Sequence, residues 1–556
     1  MKERRRIGIR GARKSSGSTF SCALLFAFLC CALFAAIVFS TFQIFGVSSR
    51  PVLIPAWPLP TMSAISTELP TSRREPAAVS PPLEIQQAIS FPDQVLLILK
   101  HPSSHPNSDL LCLYFPSSSS SSSKLRLRPI SLTSFLIHCP IAPPGFSVSV
   151  SPSPSLELPV VRPYQWDHLA YAAVLDLRDD STIVFAKGFN LRPARFSEPS
   201  RYECVFGWDF SKPKYLITTP ALSVAQEIVR CRTPLSVILR HRLPNPSKAP
   251  PLVSVKSKGR GAVTLPSVAR PEILSRLGTP RRKEHSMCVC TMLRNQARFL
   301  REWIVYHSRI GVERWFIYDN NSDDGIEQAF AAMGGASKYN VSRHSWPWLK
   351  TQEAGFAHCA LRARDHCEWV GFIDVDEFLY FPTEVTLKDV LRNYTTKPWV
   401  GELRTACHSF GPSGRKKLPS EGVTAGYTCR MNAPERHKSI VRPEALNPSL
   451  INVVHHFHLK DGVRYVNMAQ GVMVINHYKY QVWEVFKDKF YRRVATYVAD
   501  WQDEENVGSK DRAPGLGTKA VEPPDWPRRF CEVNDTGLRD WVLKIFPDPQ
   551  TGKLPW

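Results

Sequence analysis

The sequence predicts an α/β domain in its second half, preceded by an all-β region and by one helix that spans a membrane. A strand-like run at residues 369–373 ends in Asp374 and Asp376, strand and helix patterns alternate between residues 285 and 318, and residues 20–45 contain no charged side chain. Apolar runs of strand length that alternate with helical patterns are typical of sheets covered by helices. The carboxylates at the end of a buried run are the first candidates for a functional site.

The first residues have the pattern of a membrane anchor. Residues 1–19 are rich in Lys and Arg, and the uncharged residues 20–45 are long enough to cross a hydrocarbon core of about 30 Å. Because basic residues favour the cytoplasmic side, we expect a cytoplasmic tail at 1–19, a signal-anchor helix at 20–45 and a single-pass type II protein. A cleaved signal peptide is the alternative, although its apolar region is usually shorter.

The region between this anchor and the α/β domain divides into a stem and a β-rich part. Residues 46–90 are rich in Pro, Ser and Thr, a composition that buries little apolar surface and predicts a stem. Short β-like runs then predict an all-β accessory domain at 91–250, built as a sandwich; they lie at 94–99, 135–137, 146–150, 172–177 and 181–186. Four aromatic residues either fill its core or stack on sugar rings: Tyr164, Trp166, Tyr202 and Trp208.

Charge and cysteine content narrow the class of protein. The formal net charge is +22, but no nucleic-acid-binding motif accompanies it, so we expect no nucleic-acid partner. A solvated basic surface and attraction to an anionic glycan or donor both remain open.

Three of the 14 cysteines lie within 20–45, which leaves an odd number, eleven, in the presumed lumenal part. Cys204 and Cys231 are the best candidates for a disulfide, whereas Cys288 and Cys290 are expected to pack as a small apolar pair.

The α/β domain begins with a strand pattern at 285–293. A helical pattern follows, which Gly311 should end, and a second strand pattern at 312–318 leads into the polar loop 319–325. Because the carboxyl ends of parallel strands meet at one edge of a sheet, the polar loops are expected to gather there.

Asp374 and Asp376 are one residue apart after the buried run at 369–373. Side chains at positions i and i+2 of a strand end point the same way, so both carboxylates can bind one Mn²⁺ or Mg²⁺. The alternative is an acidic turn without a metal. The surrounding sequence favours the metal site.

Five blocks of sequence occur in a specific order, at 291–295, 301–307, 317–323, 371–378 and 438–443. Together they resemble glycosyltransferase family 92, which includes the plant pectic β-1,4-galactan synthases. The resemblance covers roughly residues 283 to 500. It implies a GT-A fold, a Rossmann-like domain that binds a nucleotide sugar, which we place at 283–545. It also implies metal-dependent, inverting transfer of galactose or a related hexose, and a carbohydrate-binding role for the β-rich region.

The resemblance implies roles for polar residues at the strand ends. Arg294 and Asn295 are expected to contact the ribose or phosphates of the nucleotide, and Asp319 its base, because the corresponding loops of GT-A proteins bind the nucleotide. A helix-capping turn is the alternative for the loop that begins at Asp319. Lys438 and Arg442 are expected to neutralise the leaving diphosphate.

Two further assignments complete the expected site. GT-A proteins commonly take a third metal ligand from a histidine near the end of the domain, and His477 is the candidate; a buried structural histidine is the alternative. At most one or two of the histidines between 455 and 458 are expected in the site. Inverting transfer needs a carboxylate base, for which we select Glu435 from a set that also contains Glu377, Glu402, Glu421 and Asp461.

The sequence therefore predicts a Golgi glycosyltransferase with its catalytic domain in the lumen. We expect UDP-galactose as the donor, a glycan such as a cell-wall galactan as the acceptor, and Mn²⁺ or Mg²⁺ as the cofactor. A homodimer is left open. Glycosylation is expected at three sequons, Asn340, Asn393 and Asn534, but not at Asn320 inside the nucleotide loop. The alternative function is a catalytically silent, membrane-anchored glycan-binding protein.

Overall fold

The computed structural model describes most of the chain after residue 82. The described residues are 83–101, 110–116, 125–133, 135–141, 145–151, 159–189, 196–210, 212–242, 250–259, 261–274, 283–497 and 521–556. The predicted tail, the signal-anchor helix and nearly all of the predicted stem lie outside them. Among the described residues, no helix has the length and apolar character needed to cross a membrane.

The first two sheets enclose one core. Their strands are β1 Ile85–Ser90, β2 Gln94–Leu99, β3 Leu111–Phe115, β4 Leu125–Leu127, β5 Ser131–Leu132, β6 Leu136–Pro140, β7 Ser147–Ser151 and β8 Tyr164–Gln165. One sheet has the order β5-β6-β2-β1-β8 and the other β4-β3-β7. Their facing apolar side chains pack together, and the Cys112–Cys139 disulfide joins the two sheets. β1 lies within the last residues of the predicted stem, so folded structure begins before residue 91.

A third, larger sheet follows. It is built from β9 Leu169–Asp176, β10 Ser181–Lys187, β11 Phe196–Ser197, β12 Tyr202–Gly207, β13 Ile217–Ala225, β14 Ile228–Arg232, β15 Leu252–Ser257 and β16 Pro271–Glu272, with helix α1 at Leu235–Arg242. The order is β15-β12-β13-β14-β10-β9-β16, and β11 pairs with β13. The predicted Cys204–Cys231 disulfide is confirmed. Of the four aromatic residues, Trp208 is 55% exposed, while Tyr164, Trp166 and Tyr202 pack against buried cores.

The α/β part contains thirteen strands and seven helices in the described residues. The strands are β17 His285–Leu293, β18 Arg314–Asp319, β19 Val341–Ser345, β20 Cys367–Phe372, β21 Glu377–Tyr380, β22 Val400–Ser409, β23 Cys429–Arg430, β24 Lys438–Val441, β25 Asn452–Val453, β26 His456–Phe457, β27 Arg464–Asn467, β28 Val474–His477 and β29 Val533–Asn534. The helices are α2 Ala297–Ile310, α3 Ile326–Ala332, α4 Gln352–Ala363, α5 Leu387–Thr395, α6 Val423–Gly426, α7 Trp483–Tyr497 and α8 Gly537–Ile545. As predicted, α2 ends at Gly311, whose φ of 114° is left-handed.

The main sheet of this part has the order β19-β18-β17-β20-β24-β22-β28-β21, and β27 pairs with β22. The first four strands are parallel, so their carboxyl ends lie at the same edge. This confirms an α/β architecture in which the loops after β17, β18 and β20 share one edge of the sheet.

The β-rich part and the α/β part share a hydrophobic core. Tyr171 of β9 lies 5.1 Å, ring centroid to ring centroid, from Trp348, and Phe185 of β10 meets Trp346 edge to face. An apolar core common to both parts indicates that they fold as a continuous body, because separating them would expose large aromatic surfaces to water.

The expectation that Cys288 and Cys290 form only an apolar pair is wrong. Cys288 is joined to Cys367, and Cys290 to Cys359, so both strand residues are disulfide-bonded. Both partners lie far along the chain, and no spacing pattern in the sequence predicts these two pairings. A fifth bridge joins Cys429 and Cys531. Cys407 is a buried free thiol, which agrees with the odd number of cysteines after residue 45.

Candidate active site

The candidate site lies where β20 ends and β21 begins. Asp374 and Asp376 occupy this turn, and β21 starts at Glu377, whose register partner on β28 is His477. The backbone N–H of Tyr478 donates to the carbonyl of Asp376 at 2.8 Å, and the N–H of Asp374 donates to Oε2 of Glu377 at 2.9 Å. Pairing with β28 therefore brings His477 beside the carboxylates.

Asp376 lies between an imidazole and an ammonium group. Its Oδ2 lies 3.4 Å from Nε2 of His477 and forms an ion pair with the ammonium group of Lys489 on α7. Burial alone would raise the pKa of Asp376, but the charges of Lys489 and His477 hold it well below its usual range. The carboxylate is therefore ionised at neutral pH.

Asp374 has a different pair of partners. Its Oδ2 lies 3.3 Å from Nζ of Lys438 and 3.5 Å from Nε2 of His455. Burial opposes ionisation, yet Lys438 and His455 keep the pKa of Asp374 well below its ordinary value. Sequence reasoning grouped His455 with its neighbours, because only the fold shows which ring faces the site.

Glu377 completes the cluster and is fully buried. Its Oε1 lies 2.7 Å from Nζ of Lys438 and 3.5 Å from Nδ1 of His477. Although burial would lower the pKa of Lys438, the carboxylates of Asp374 and Glu377 raise it, so the ammonium group stays charged. Three carboxylates thus face two ammonium groups, counting Lys489 with Lys438. The remaining negative charge and the oxygen-rich donor set suit a hard divalent cation.

The loops after β17 and β18 are tied to each other. The backbone N–H of Asn295, whose φ is 52°, donates to Oγ of Ser322 at 3.0 Å, and its side chain exchanges two hydrogen bonds with Asp323. Arg294 lies next to this loop, with Nη2 3.9 Å from Oδ2 of Asp93 in the β-rich part. Both predicted nucleotide-contacting residues therefore lie at the carboxyl edge of the sheet.

Asp319 organises the turn after β18. It is 3% exposed, and its carboxylate accepts hydrogen bonds from Nε of Arg343 at 2.8 Å and from the N–H of Ser322 at 2.9 Å. The cap of α2 comes from another residue of the same loop, since the N–H of Ala297 donates to Oδ2 of Asp324 at 2.7 Å. The loop thus caps the amino end of α2 and also lies at the edge of the sheet where the nucleotide is predicted to bind.

Asn320 is buried in this loop. Its amide nitrogen donates to the carbonyls of Trp346 and Trp348 at 2.8 and 3.0 Å, and 7% of the residue is exposed. An amide held in this way presents no free nitrogen to a glycan. The arrangement agrees with the expectation that this sequon is accidental.

Arg442 is not brought to the carboxylate cluster. Its guanidinium donates to the carbonyls of Tyr394 and Thr395 at the end of α5, each at 2.7 Å, and lies 4.6 Å from the ring centroid of Trp369. These contacts tie the guanidinium to the last turn of α5, where the carbonyl of Tyr394 also accepts from the N–H of Lys397 at 3.0 Å. In this structure Arg442 therefore stabilises a helix end.

Glu435 lies at the rim of the site. Both of its oxygens accept from Nζ of Lys479, at 3.1 and 2.9 Å, and its side chain is 34% exposed. Burial would raise the pKa of Glu435, but Lys479 and His477 lower it. Of the other candidate bases, Glu402 is bound by Arg404 and Ser439, and Glu421 pairs with Arg415.

The family model for glycosyltransferase family 92 matches residues 283–507. A glycosyltransferase family 92 protein of Oryza sativa subsp. japonica is 62% identical to this chain, over 96% of the chain and 93% of its own length. Relatives of the same description are 52% identical in Ricinus communis, over the whole of both chains, and 48% identical in Arabidopsis thaliana, over 93% of this chain and 91% of the relative. A crystal structure of GalNAc-T7 with UDP, GalNAc and Mn²⁺ matches 41% of the chain and 50% of its own length at 8% identity, with a TM-score of 0.24, too low to support an argument.

Proposed function

The chain belongs to glycosyltransferase family 92, and on that premise we propose that it transfers a hexose from a nucleotide sugar to a glycan with inversion at the anomeric carbon. The donor would be UDP-galactose and the acceptor a glycan such as a cell-wall galactan. The single observation that carries the proposal is the cluster of Asp374, Asp376 and His477 with two lysines at the carboxyl end of β20, one of the parallel strands of the sheet. The proposed fold of this part is GT-A.

The donor set of the cluster, two carboxylates and an imidazole, suits a divalent cation chemically. Asp374, Asp376 and His477 would hold Mn²⁺ or Mg²⁺, and Glu377 would keep the turn in shape through its bond to the N–H of Asp374. When bound, the cation would supply positive charge to the diphosphate. The net negative charge of the metal-free cluster favours this binding.

The protein's own residues would perform the other parts of the reaction. Lys438 and Lys489 are charged and lie at the carboxylates, so their ammonium groups can neutralise the leaving diphosphate. Glu435, ionised at the rim, would take the proton of the acceptor hydroxyl. That oxygen then forms a bond to the anomeric carbon, the bond from this carbon to the diphosphate breaks, and UDP leaves from the opposite face.

The first experiment tests donor and acceptor together. The purified protein is incubated with a panel of nucleotide sugars and Mn²⁺, and galacto-oligosaccharides are then added as acceptors. We expect release of UDP from UDP-galactose and elongation of the oligosaccharide, and neither product from the Asp376→Asn protein. Binding of galacto-oligosaccharides without turnover of any donor would instead support the silent glycan-binding alternative.

We also propose that the protein is a single-pass type II protein of the Golgi membrane, because of the basic residues 1–19 and the uncharged residues 20–45. The proposal agrees with five disulfides in the described residues, since disulfides persist in oxidising compartments. A carboxyl-terminal tag in intact microsomes should resist protease until detergent is added. Digestion without detergent would contradict the proposed orientation.

A further inference from the structure

A second group of potential metal ligands lies outside the carboxylate cluster. It consists of Glu402 on β22, His437 directly before β24, and His456 on β26. One ligand atom from each residue lies within 4.8 Å of the other two, and the two imidazole centroids are 3.9 Å apart. None of the three residues contacts Asp374 or Asp376 through an ion pair or hydrogen bond found in the structure.

Neighbouring residues of two short segments, 437–438 and 455–456, have side chains with different partners. Lys438 and His455 contact each other, Nζ to Nε2 at 2.6 Å, and both reach Asp374. Their sequence neighbours His437 and His456 contact each other instead. The dipeptides His437-Lys438 and His455-His456 therefore contribute to both places. Lys438 and His455 belong to the candidate active site, and His437 and His456 belong to the second group.

The two histidines have nitrogen atoms without partners. Nε2 of His437 and Nδ1 of His456 are buried, and neither has a hydrogen-bond partner in the described part of the chain. Burial, with a smaller effect of nearby positive groups, lowers the pKa of His437 to about 4 and that of His456 to about 3. Both rings are therefore neutral at neutral pH, which is the protonation state that binds metals. A buried polar atom without a partner is uncommon in folded proteins and needs a physical explanation.

Glu402 is oriented toward the histidines by two outer partners. It is fully buried, and its carboxylate accepts from Oγ of Ser439 and from Nη2 of Arg404 at 3.1 Å. Arg404 is itself held at 3.5 Å from the ring centroid of Tyr465. A carboxylate has about four acceptor positions, so two hydrogen bonds leave lone pairs for a cation. Ligating carboxylates in metal sites are usually fixed by hydrogen bonds of this kind.

We propose that Glu402, His437 and His456 form a second metal site, suited to Zn²⁺. Two neutral imidazoles and one carboxylate are a common zinc donor set with room for a water, whereas the oxygen-rich cluster at Asp374 and Asp376 suits Mn²⁺ or Mg²⁺. A cation bound here would tie β22, β24 and β26 together directly behind Lys438 and His455. The proposal does not depend on the proposed function, because neither carboxylate of the candidate active site takes part.

The test counts metal on the full-length protein, stripped with a chelator and titrated with Co²⁺ as a spectroscopic substitute for Zn²⁺. The Asp376→Asn protein, whose first site is impaired, should still bind one Co²⁺ with the visible absorption of a nitrogen-containing site, and Zn²⁺ should displace it. The His437→Ala/His456→Ala protein should lose this equivalent. The exposed His168, whose side chain is 64% accessible, provides the matched control His168→Ala, which should keep it.

Two further measurements separate a built site from loose binding. Ser439→Ala removes an outer hydrogen bond only and should weaken Co²⁺ binding about tenfold. Zn²⁺ should raise the melting temperature of the wild-type and Asp376→Asn proteins but not that of the double histidine variant, because a ligand stabilises only the state that binds it. Equal Co²⁺ binding by the wild-type and double-histidine proteins, or no Co²⁺ binding by Asp376→Asn, would overturn the proposal.

Discussion

Two buried ionic clusters of this protein differ in how completely their charges are paired. At the contact between the β-rich and α/β parts, both oxygens of Asp176 accept from the guanidinium of Arg364 at 2.8 Å, and Nη1 of Arg230 lies 3.6 Å from Oδ2. Burial would raise the pKa of Asp176, but the two arginines lower it. At the end of β20, by contrast, carboxylates outnumber ammonium groups.

The difference gives a physical reason to assign a structural role to the first cluster and the proposed binding role to the second. Asp176 offers its oxygens to planar, bidentate partners, and two arginines leave no negative charge for a ligand. Asp374 and Asp376 are paired with lysines, whose ammonium groups are compact point charges rather than planar forks. Burial alone therefore does not distinguish the two clusters, whereas the identity and number of the cationic partners do.

The largest effect is expected from breaking the structural cluster. Arg364→Ala leaves Asp176 buried with only Arg230 as a cationic partner, and it should lower the free energy of unfolding by about 3–5 kcal/mol. Denaturant unfolding measures this change. Arg392→Ala, which removes an exposed ion pair, is the control and should cost about 0.5 kcal/mol or less. A loss below about 1 kcal/mol for Arg364→Ala would show that the cluster does not join the two parts.

The next effect concerns catalysis rather than stability. Asp376→Asn should reduce Mn²⁺-dependent transfer about 100- to 1000-fold, about 2.7–4 kcal/mol, because one charged ligand of the proposed cation is lost. Its melting temperature should stay close to that of the wild-type protein. Steady-state kinetics with and without EDTA measure the effect. Wild-type turnover by this variant would mean that the carboxylate is structural, as in the first cluster.

His477→Ala tests whether the imidazole belongs to the binding cluster. As the third ligand it should weaken Mn²⁺ binding by about tenfold or more, about 1.4 kcal/mol, with little change in thermal stability. Titrating Mn²⁺ while recording melting curves measures both quantities. If His477 is instead a core residue, the same change should lower stability by about 1–3 kcal/mol and leave metal affinity unaltered.

The smallest effect concerns pH. Burial would raise the pKa of Glu435, but Lys479 and His477 lower it below its ordinary 4.5, so a base at this position stays ionised from neutrality down to that pH. Activity that depends on Glu435 should fall only below about pH 4.5. Lys479→Met removes the main lowering charge and should move this fall to higher pH. If activity falls at the same pH in the wild-type and Lys479→Met proteins, Glu435 is not the base.

Local patterns in the sequence were enough to predict much of the fold. The strand at 285–293 and the helix end at Gly311 depend on periodicity and on one residue type, and both are found. The Asp374 and Asp376 pair was identified because it directly follows an apolar run. Each of these features depends on a few residues that are close in sequence, so it can be predicted without knowledge of tertiary contacts.

The remaining site residues depend on contacts between distant parts of the chain. Lys489 reaches Asp376 from α7, and His455 reaches Asp374 from the loop before β26. Neither has a local signature, because a lysine on an amphipathic helix and a histidine near a short strand are ordinary. Arg442 is the opposite case. It lies inside one of the five sequence blocks, yet in the structure it contacts the end of α5 and not the carboxylate cluster.

The paired disulfides of β17 also constrain how the protein can be made. Cys288 and Cys290 point to the same face of one strand, and their partners Cys367 and Cys359 are separated from them by 79 and 69 residues. Four thiols that meet in this way allow three pairings, and only one matches the native connection of β17 with β20 and α4. Thiol–disulfide exchange can convert either of the other two pairings into the native one. Recombinant production in a reducing cytosol would yield a chain without these cross-links, and rapid oxidation without an isomerase would trap mispaired isomers.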